Sequence, residues 1–299
     1  MLEQFCYKVY LPSLDRYEYY KELTNKEYLC MIKYGTNNDD VGLSRYLEYL
    51  ITRLQINKTY DHTRLDKFCV LYTMFAVCIK SVVTMNVTCE ETKKDYTVDI
   101  DVFNILNIIS NLKGVESTKI INDGGNIYTV ELPDGLYNKM QSVKASNILK
   151  SIDIKNVTHD LSAYTDEQKQ QILTTLPGSS VSRIMKFVND YESNCADAVY
   201  LTYRSPYVED DIPYEYTVNL LNNELFQTFK SISITDLKSF YEMSHGMSSN
   251  FKLSHEHYLS ITPAETRIYY DLMKNEVDQQ KKQAESDNAS GIENPVPGV

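Results

Sequence analysis

The hydrophobic period changes abruptly near residue 80, and that change does most to limit the folds open to this chain. Leu65, Phe68, Tyr72, Phe75, Ala76 and Ile79 recur at helical spacing. From Val82 onward, Val83, Met85, Val87 and Cys89 alternate with Val82, Thr84, Asn86 and Thr88. After the polar turn EETKK, alternation resumes at Tyr96, Val98 and Ile100. Side chains repeat every ~3.6 residues around a helix and every second residue along a strand. The segment therefore reads as a helix, Leu65 to Ile79, feeding an antiparallel hairpin. That hairpin is expected to bury Val83, Met85, Val87, Tyr96, Val98 and Ile100 on one face.

Start and stop signals place the other elements. Thr24 with Glu27 three residues on is a capping box opening a helix, with Gly35 positioned as its C-terminal stop. Leu43, Leu47, Leu50, Ile51 and Leu54 mark a second helix from about Asp40 to Gln55. A short apolar helix, about Val102 to Asn111, follows the first hairpin. The stretch TKIINDGGNIYTVELPDG reads as a second hairpin turning at Asp123-Gly124-Gly125, because glycine takes positive φ at little cost. Thr165 and Gln168 form another capping box, and Pro177-Gly178 ends that helix. Val181, Ile184, Val188 and Tyr191 then share one helical face. The stretches DAVYLTYRS and YEYTVNL read as strands around an acidic loop, and the last third is helical. There Thr262 is an N-cap, Pro263 occupies the first helical position, where its missing N–H is harmless, and Glu265 closes the box. Ile268, Leu272 and Met273 are expected to form that helix's narrow apolar face.

These elements predict an α+β protein, helical at both ends with small antiparallel hairpins between. No strand–helix–strand alternation calls for a parallel sheet. DYTVDI at 95–100 echoes EYTVNL at 215–220, each after an alternating strand and before an apolar helix, which suggests two related strand–turn–strand–helix units. The expected organisation is N-terminal helices and hairpin over 1–112, a middle region of hairpin, helices and second β unit over 113–224, C-terminal helices over 225–277, and a disordered tail over 278–299, where almost nothing apolar remains to be buried.

Several function classes are disfavoured. The formal net charge is −11, from 41 acidic and 30 basic residues, which repels phosphate backbones and argues against a nucleic-acid partner. No apolar run is long enough to span a membrane, and the N-terminus lacks the pattern of a signal peptide. The six cysteines form no C-x-x-C pair and read as reduced thiols. His255 and His257 flank Glu256 but point apart on a helix and lack a third ligand on a strand, so they read as a polar loop. His62 and His159 stand alone, and the acidic stretches NNDD and VEDD lack the ligand alternation of a calcium loop and read as solvated. No Gly-rich phosphate loop or G-x-S-x-G motif is present. The expectation is a protein that is not an enzyme, with no catalytic, cofactor-binding or metal residues and no cofactor. The 25 tyrosines suit protein interfaces, since each offers apolar area with a polar tip.

Three stretches carry a family resemblance: VYLPSLDRYEYYKELTNKEYLCMIKY at 9–34, LDKFCVLYTMFAVCIKSVVTMNVTCEETKKDYTVDIDV at 65–102, and FQTFKSISITDLKSFYEMSHGMSSNFKLSHEHYLSITPAETRIYYDLMKNEV at 226–277. The order of their elements, and the ITPAE helix start above all, resembles the baseplate hub protein family of T-even-type contractile-tailed bacteriophages, the gene-product-26 type. The middle of the chain matches poorly. Family members often carry a C-x-x-C knuckle at the hairpin turns, whereas here Cys89 stands alone and the second turn has no cysteine. The resemblance implies a structural or assembly protein of the tail baseplate hub, made in the host cytoplasm and located in the virion if it stays in the particle. Its implied partners are other tail or hub proteins. An alternative is a chaperone outside the virion for a tail protein such as the tape measure, and a tail-associated enzyme ranks third.

Overall fold

A computed structural model describes residues 6–89, 91–110, 118–137, 144–196, 200–207, 213–217, 224–234 and 237–290. The chain opens with a hairpin of β1 (Cys6–Leu11) and β2 (Arg16–Lys21), followed by α1 (Asn25–Thr36), α2 (Asp40–Leu54) and α3 (Arg64–Met74). One turn of π-helix (Phe75–Ile79) leads into the hairpin of β3 (Val82–Thr88) and β4 (Asp95–Asp101), then α4 (Val102–Ser110). A second region comprises β5 (Thr118–Asp123), β6 (Asn126–Glu131), α5 (Ala145–Ile148), β7 (Leu149–Ile154), β8 (Val157–Asp160), α6 (Asp166–Thr175) and α7 (Gly178–Ala196). The chain continues through β9 (Tyr200–Arg204), β10 (Pro213–Thr217), α8 (Glu224–Ser233), α9 (Leu237–Phe251), α10 (His255–Ser260) and α11 (Pro263–Ser290). Every strand pairing among the described residues is antiparallel: three two-stranded hairpins and one four-stranded sheet of order β5-β6-β7-β8. The fold is α+β.

Local signals explain most of these elements. The capping boxes at Thr24, Thr63 and Thr165 all form, each satisfying orphan N–H groups at a helix start. The β3–β4 register pairs Val83 with Ile100, Met85 with Val98 and Val87 with Tyr96, so the six residues expected on one face do share it. Val83, Tyr96 and Ile100 are buried, while the side chains of Met85 and Val87 lie outside the described set. Gly124 and Gly125 take φ of 61° and 86° at the β5–β6 turn. The described parts of both echo segments lie in the second strand of a hairpin, β4 and β10, and the helices next in order, α4 and α8, bury apolar side chains in the same core.

Two hydrophobic cores result. The smaller fills the space between the four-stranded sheet and α5–α7, with Tyr128, Val130, Ile148, Ile152, Ile184 and Val188 buried. The larger takes Val9, Leu11 and Tyr20 from the first hairpin and Ile32, Leu47 and Leu71 from α1–α3. It also takes Phe226, Phe229, Phe240 and Tyr258 from the C-terminal helices. Residues 225–277 therefore share a core with the N-terminal region rather than forming one of their own. Residues after β6 reach into that core too: Leu136 is fully buried there, its N–H bonds Glu48 Oε1 at 3.1 Å, and Lys67 Nζ reaches the Asp134 carbonyl and carboxylate, each at 2.9 Å.

Several expectations are corrected. Gly35 does not stop α1: it lies inside the helix, and Asn38, at φ 52°, makes the left-handed turn beyond it. The Gly35 surface is instead occupied by Ile234, whose Cγ1 would lie 2.4 Å from an added Cβ. The helix expected over 65–79 widens to a π-turn after Met74, closed by Lys80 N–H to the Phe75 carbonyl at 2.9 Å. His255, Glu256 and His257 belong to α10, capped by Ser254, not to a loop. Asp40 of the NNDD stretch accepts from Lys230 Nζ at 2.7 Å, so it is not simply solvated. The largest correction concerns the tail. The composition predicts disorder from residue 278, yet α11 runs to Ser290. Gln, Lys, Ala and Glu are strong helix formers, so a firmly capped start propagates through a stretch with no core to join. Residues 291–299, with Ile292, Val296 and Val299, lie outside the described residues.

Candidate functional site

The last helix and its root form the most distinctive surface. Thr262 N–H donates to Glu265 Oε2 at 2.7 Å, and Glu265 N–H donates to Thr262 Oγ1 at 3.1 Å. This box launches a 28-residue helix, ~42 Å long at 1.5 Å per residue. Among the described side chains, those of its first three turns meet the body. Thr266 is buried, the Tyr269 ring packs on Phe251 at 5.4 Å, and Met273 Sδ accepts from Asn250 Nδ2 at 3.1 Å. From Lys274 to Ser286 every residue is exposed. The apolar face expected on this helix is also rearranged. Met273 faces the body, but Ile268 and Leu272 point away from it, 62% and 49% exposed. Spacing shows that residues share a stripe; it does not show which stripe finds a partner.

Asn25 fixes the root. Its side chain is 1% exposed, and Nδ2 donates to the Tyr258 carbonyl at 2.9 Å and to Thr266 Oγ1 at 2.6 Å. Its N–H donates to the Ile261 carbonyl at 2.8 Å. Tyr28, one turn on, donates its hydroxyl to the Ser233 carbonyl at 3.1 Å. The first turn of α1 thus holds the end of α10, the start of α11 and the end of α8. Sequence reasoning reads Asn25 only as the residue after a cap, and no local pattern marks it as the anchor.

The titratable groups elsewhere read as structural. Tyr20 Oη lies 2.6 Å from His62 Nε2 and 3.2 Å from Tyr60 Oη. Burial pushes the Tyr20 phenol far up, so it stays protonated while hydrogen-bonded to both partners. Burial also holds the His62 imidazole below its ordinary value. Asp66 is fully buried, accepting from Ser13 N–H at 3.1 Å and Ser13 Oγ at 2.5 Å, and from Thr63 N–H at 3.0 Å and Thr63 Oγ1 at 2.7 Å. A carboxylate supplied with four donors needs no cation. His255 Nδ1 meets Ser244 Oγ at 2.9 Å, and His159 is exposed on β8. Hydrogen bonds from Ser205 and Thr92 bring the Cys89 thiol down to about 7, which ties the β3–β4 turn to the end of β9. Among the described residues, no three His, Cys, Asp or Glu side chains form a metal-binding group, and no helix is long and apolar enough to cross a membrane.

No family model, curated protein or solved structure matches this chain.

Proposed function

We propose that the chain is a structural or assembly protein of a phage tail baseplate hub, made in the host cytoplasm and working through contacts with other tail or hub proteins. The resemblance of residues 9–34, 65–102 and 226–277 to that family motivates the reading. One observation carries the mode of action: α11 is anchored at its root by buried hydrogen bonds and then leaves the body, with Lys274 to Ser286 exposed. A helix of that length satisfies its own backbone but buries little apolar area, so its use lies in what it meets. A net charge of −11 points to protein rather than nucleic acid as the partner.

The same arm suits a second reading, a chaperone that holds a tail protein such as the tape measure and then leaves. An exposed polar helix is fitted to reversible contact. Quantitative mass spectrometry of purified tails and of their assembly precursors separates the two. Stoichiometric presence in finished tails marks a component, and presence in precursors alone marks a chaperone. Absence from both contradicts the proposal.

A further inference from the structure

A cavity of about 260 Å³ opens between the start of α1, α9, α10 and the root of α11. Its walls are apolar and largely aromatic: Tyr28, Ile79, Phe240, Met243, Tyr258 and Tyr270. Asn25, Ser239, Pro263, Thr266 and Arg267 complete the lining. The polar atoms nearest the interior are already engaged. Asn25 Nδ2 is bound to the Tyr258 carbonyl and Thr266 Oγ1, and the Tyr28 hydroxyl donates to the Ser233 carbonyl. Neither Asn25 nor Tyr28 therefore offers a buried ligand group a free donor, and the lining is mostly apolar. The same bonds hold three walls in place, so the cavity is formed before anything enters it. Arg267 is exposed and joins no ion pair among the described residues. In a chain of net charge −11, a guanidinium left without a carboxylate beside an apolar cavity is a charge awaiting its complement.

We infer that this cavity is a docking socket for a partner polypeptide, taking one aromatic or branched aliphatic side chain whose neighbouring carboxylate pairs with Arg267. The volume suits a single large side chain and not a helix laid along its length. The carboxylate stays at the mouth, where Arg267 reaches solvent, so neither charge is stripped of water. An anchoring side chain in a preformed pocket with a charge at its rim is how a few residues carry most of an interface. The polypeptide occupant rests on the reading that the chain acts through protein contacts. The chemistry of the socket does not.

The test uses full-length protein labelled with ¹³C at the methionine methyls, nine in all, with the Met243 signal assigned from Met243→Leu. The probes are 3-phenylpropionate, which mimics an aromatic side chain beside a carboxylate, and neutral 3-phenylpropanol. The Met243 signal is expected to shift saturably with the acid and more weakly with the alcohol. Arg267→Gln should weaken the acid roughly threefold, the scale of a rim-exposed charge pair, and leave the alcohol unchanged. Ser239→Trp, at an exposed lining position, should abolish both shifts while the other methyl signals stay in place. An unmoved Met243 signal with either probe overturns the socket, and equal binding of acid and alcohol overturns the role of Arg267. Ser239→Trp is then supplied in place of the natural chain during tail assembly. Fewer tails support the polypeptide occupant. Normal tail numbers overturn that occupant, whatever the probes do. If the natural chain itself is dispensable for tails, the functional reading fails while the probe results stand.

Discussion

The Asn25 side chain and the Tyr258 carbonyl are 233 residues apart in sequence and 2.9 Å apart in space, joined by a buried hydrogen bond. Through this bond, and that to Thr266, the first helix sets where the last one begins. Removing the amide strands two buried acceptors. Asn25→Ala is expected to cost about 2–3 kcal/mol in urea unfolding, the range for buried groups left without partners. Thr266→Ser, which keeps the hydroxyl, should cost under about 1 kcal/mol. Equal losses in the two variants would show that packing and not the hydrogen bond holds the root.

Gly35 admits Ile234 against α1. Gly35→Val places methyl groups where Ile234 lies and should cost about 1–3 kcal/mol through overpacking. Combining it with Ile234→Ala should recover most of that loss. Strictly additive losses in thermal melts of the single and double variants would contradict the contact.

His62 links stability to pH. Its imidazole is half-buried against Tyr20 and Tyr60, and this burial lowers its folded-state value; Asp66, Asp61 and Asp134 oppose the shift and Lys67 adds to it. The unfolded chain therefore binds a proton more readily than the folded one. The stabilisation is fully present above the ordinary histidine value of about 6.5 and is lost as pH falls through the lower folded value. Wild-type protein should lose stability across that acid window, and His62→Gln should show a shallower slope there. Identical slopes in denaturation at a series of pH values would remove His62 from the account.

Much of the fold was legible because it is written locally. Thr24, Thr165 and Thr262 announce helix starts by pairing with a residue three positions on, and the alternation from Val82 to Ile100 fixes a hairpin face without knowledge of its partner. The first hairpin is not legible, because tyrosine at Tyr17, Tyr19 and Tyr20 blurs the apolar–polar contrast. Tyr20 is fully buried, whereas Tyr17 and Tyr19 are more than half exposed. The unit α5–β7–β8 escaped because its elements are four to six residues long and turn at Lys155 and Asn156, both left-handed without a glycine. The root of α11 was not legible at all. Asn25, Tyr28, Tyr258 and Thr266 come from opposite ends of the chain, and no local pattern records a contact between residues so far apart. The continuation of α11 to Ser290 is hidden from hydrophobic patterning, because propensity and a strong cap extend a helix that buries almost nothing.

The most direct test of the central claim, that α11 is an arm for protein contacts in tail assembly, is to end the chain after Met273 and count the tails it supports. Lys274 to Ser286 are all exposed, so the shortened protein should melt within about 1 °C of the full chain, a shift that corresponds to under about 1 kcal/mol. With the fold intact, the account predicts that finished tails fall sharply, and that the shortened chain no longer copurifies with hub proteins. Normal tail numbers at native expression, with the chain still bound to its partners, would contradict it.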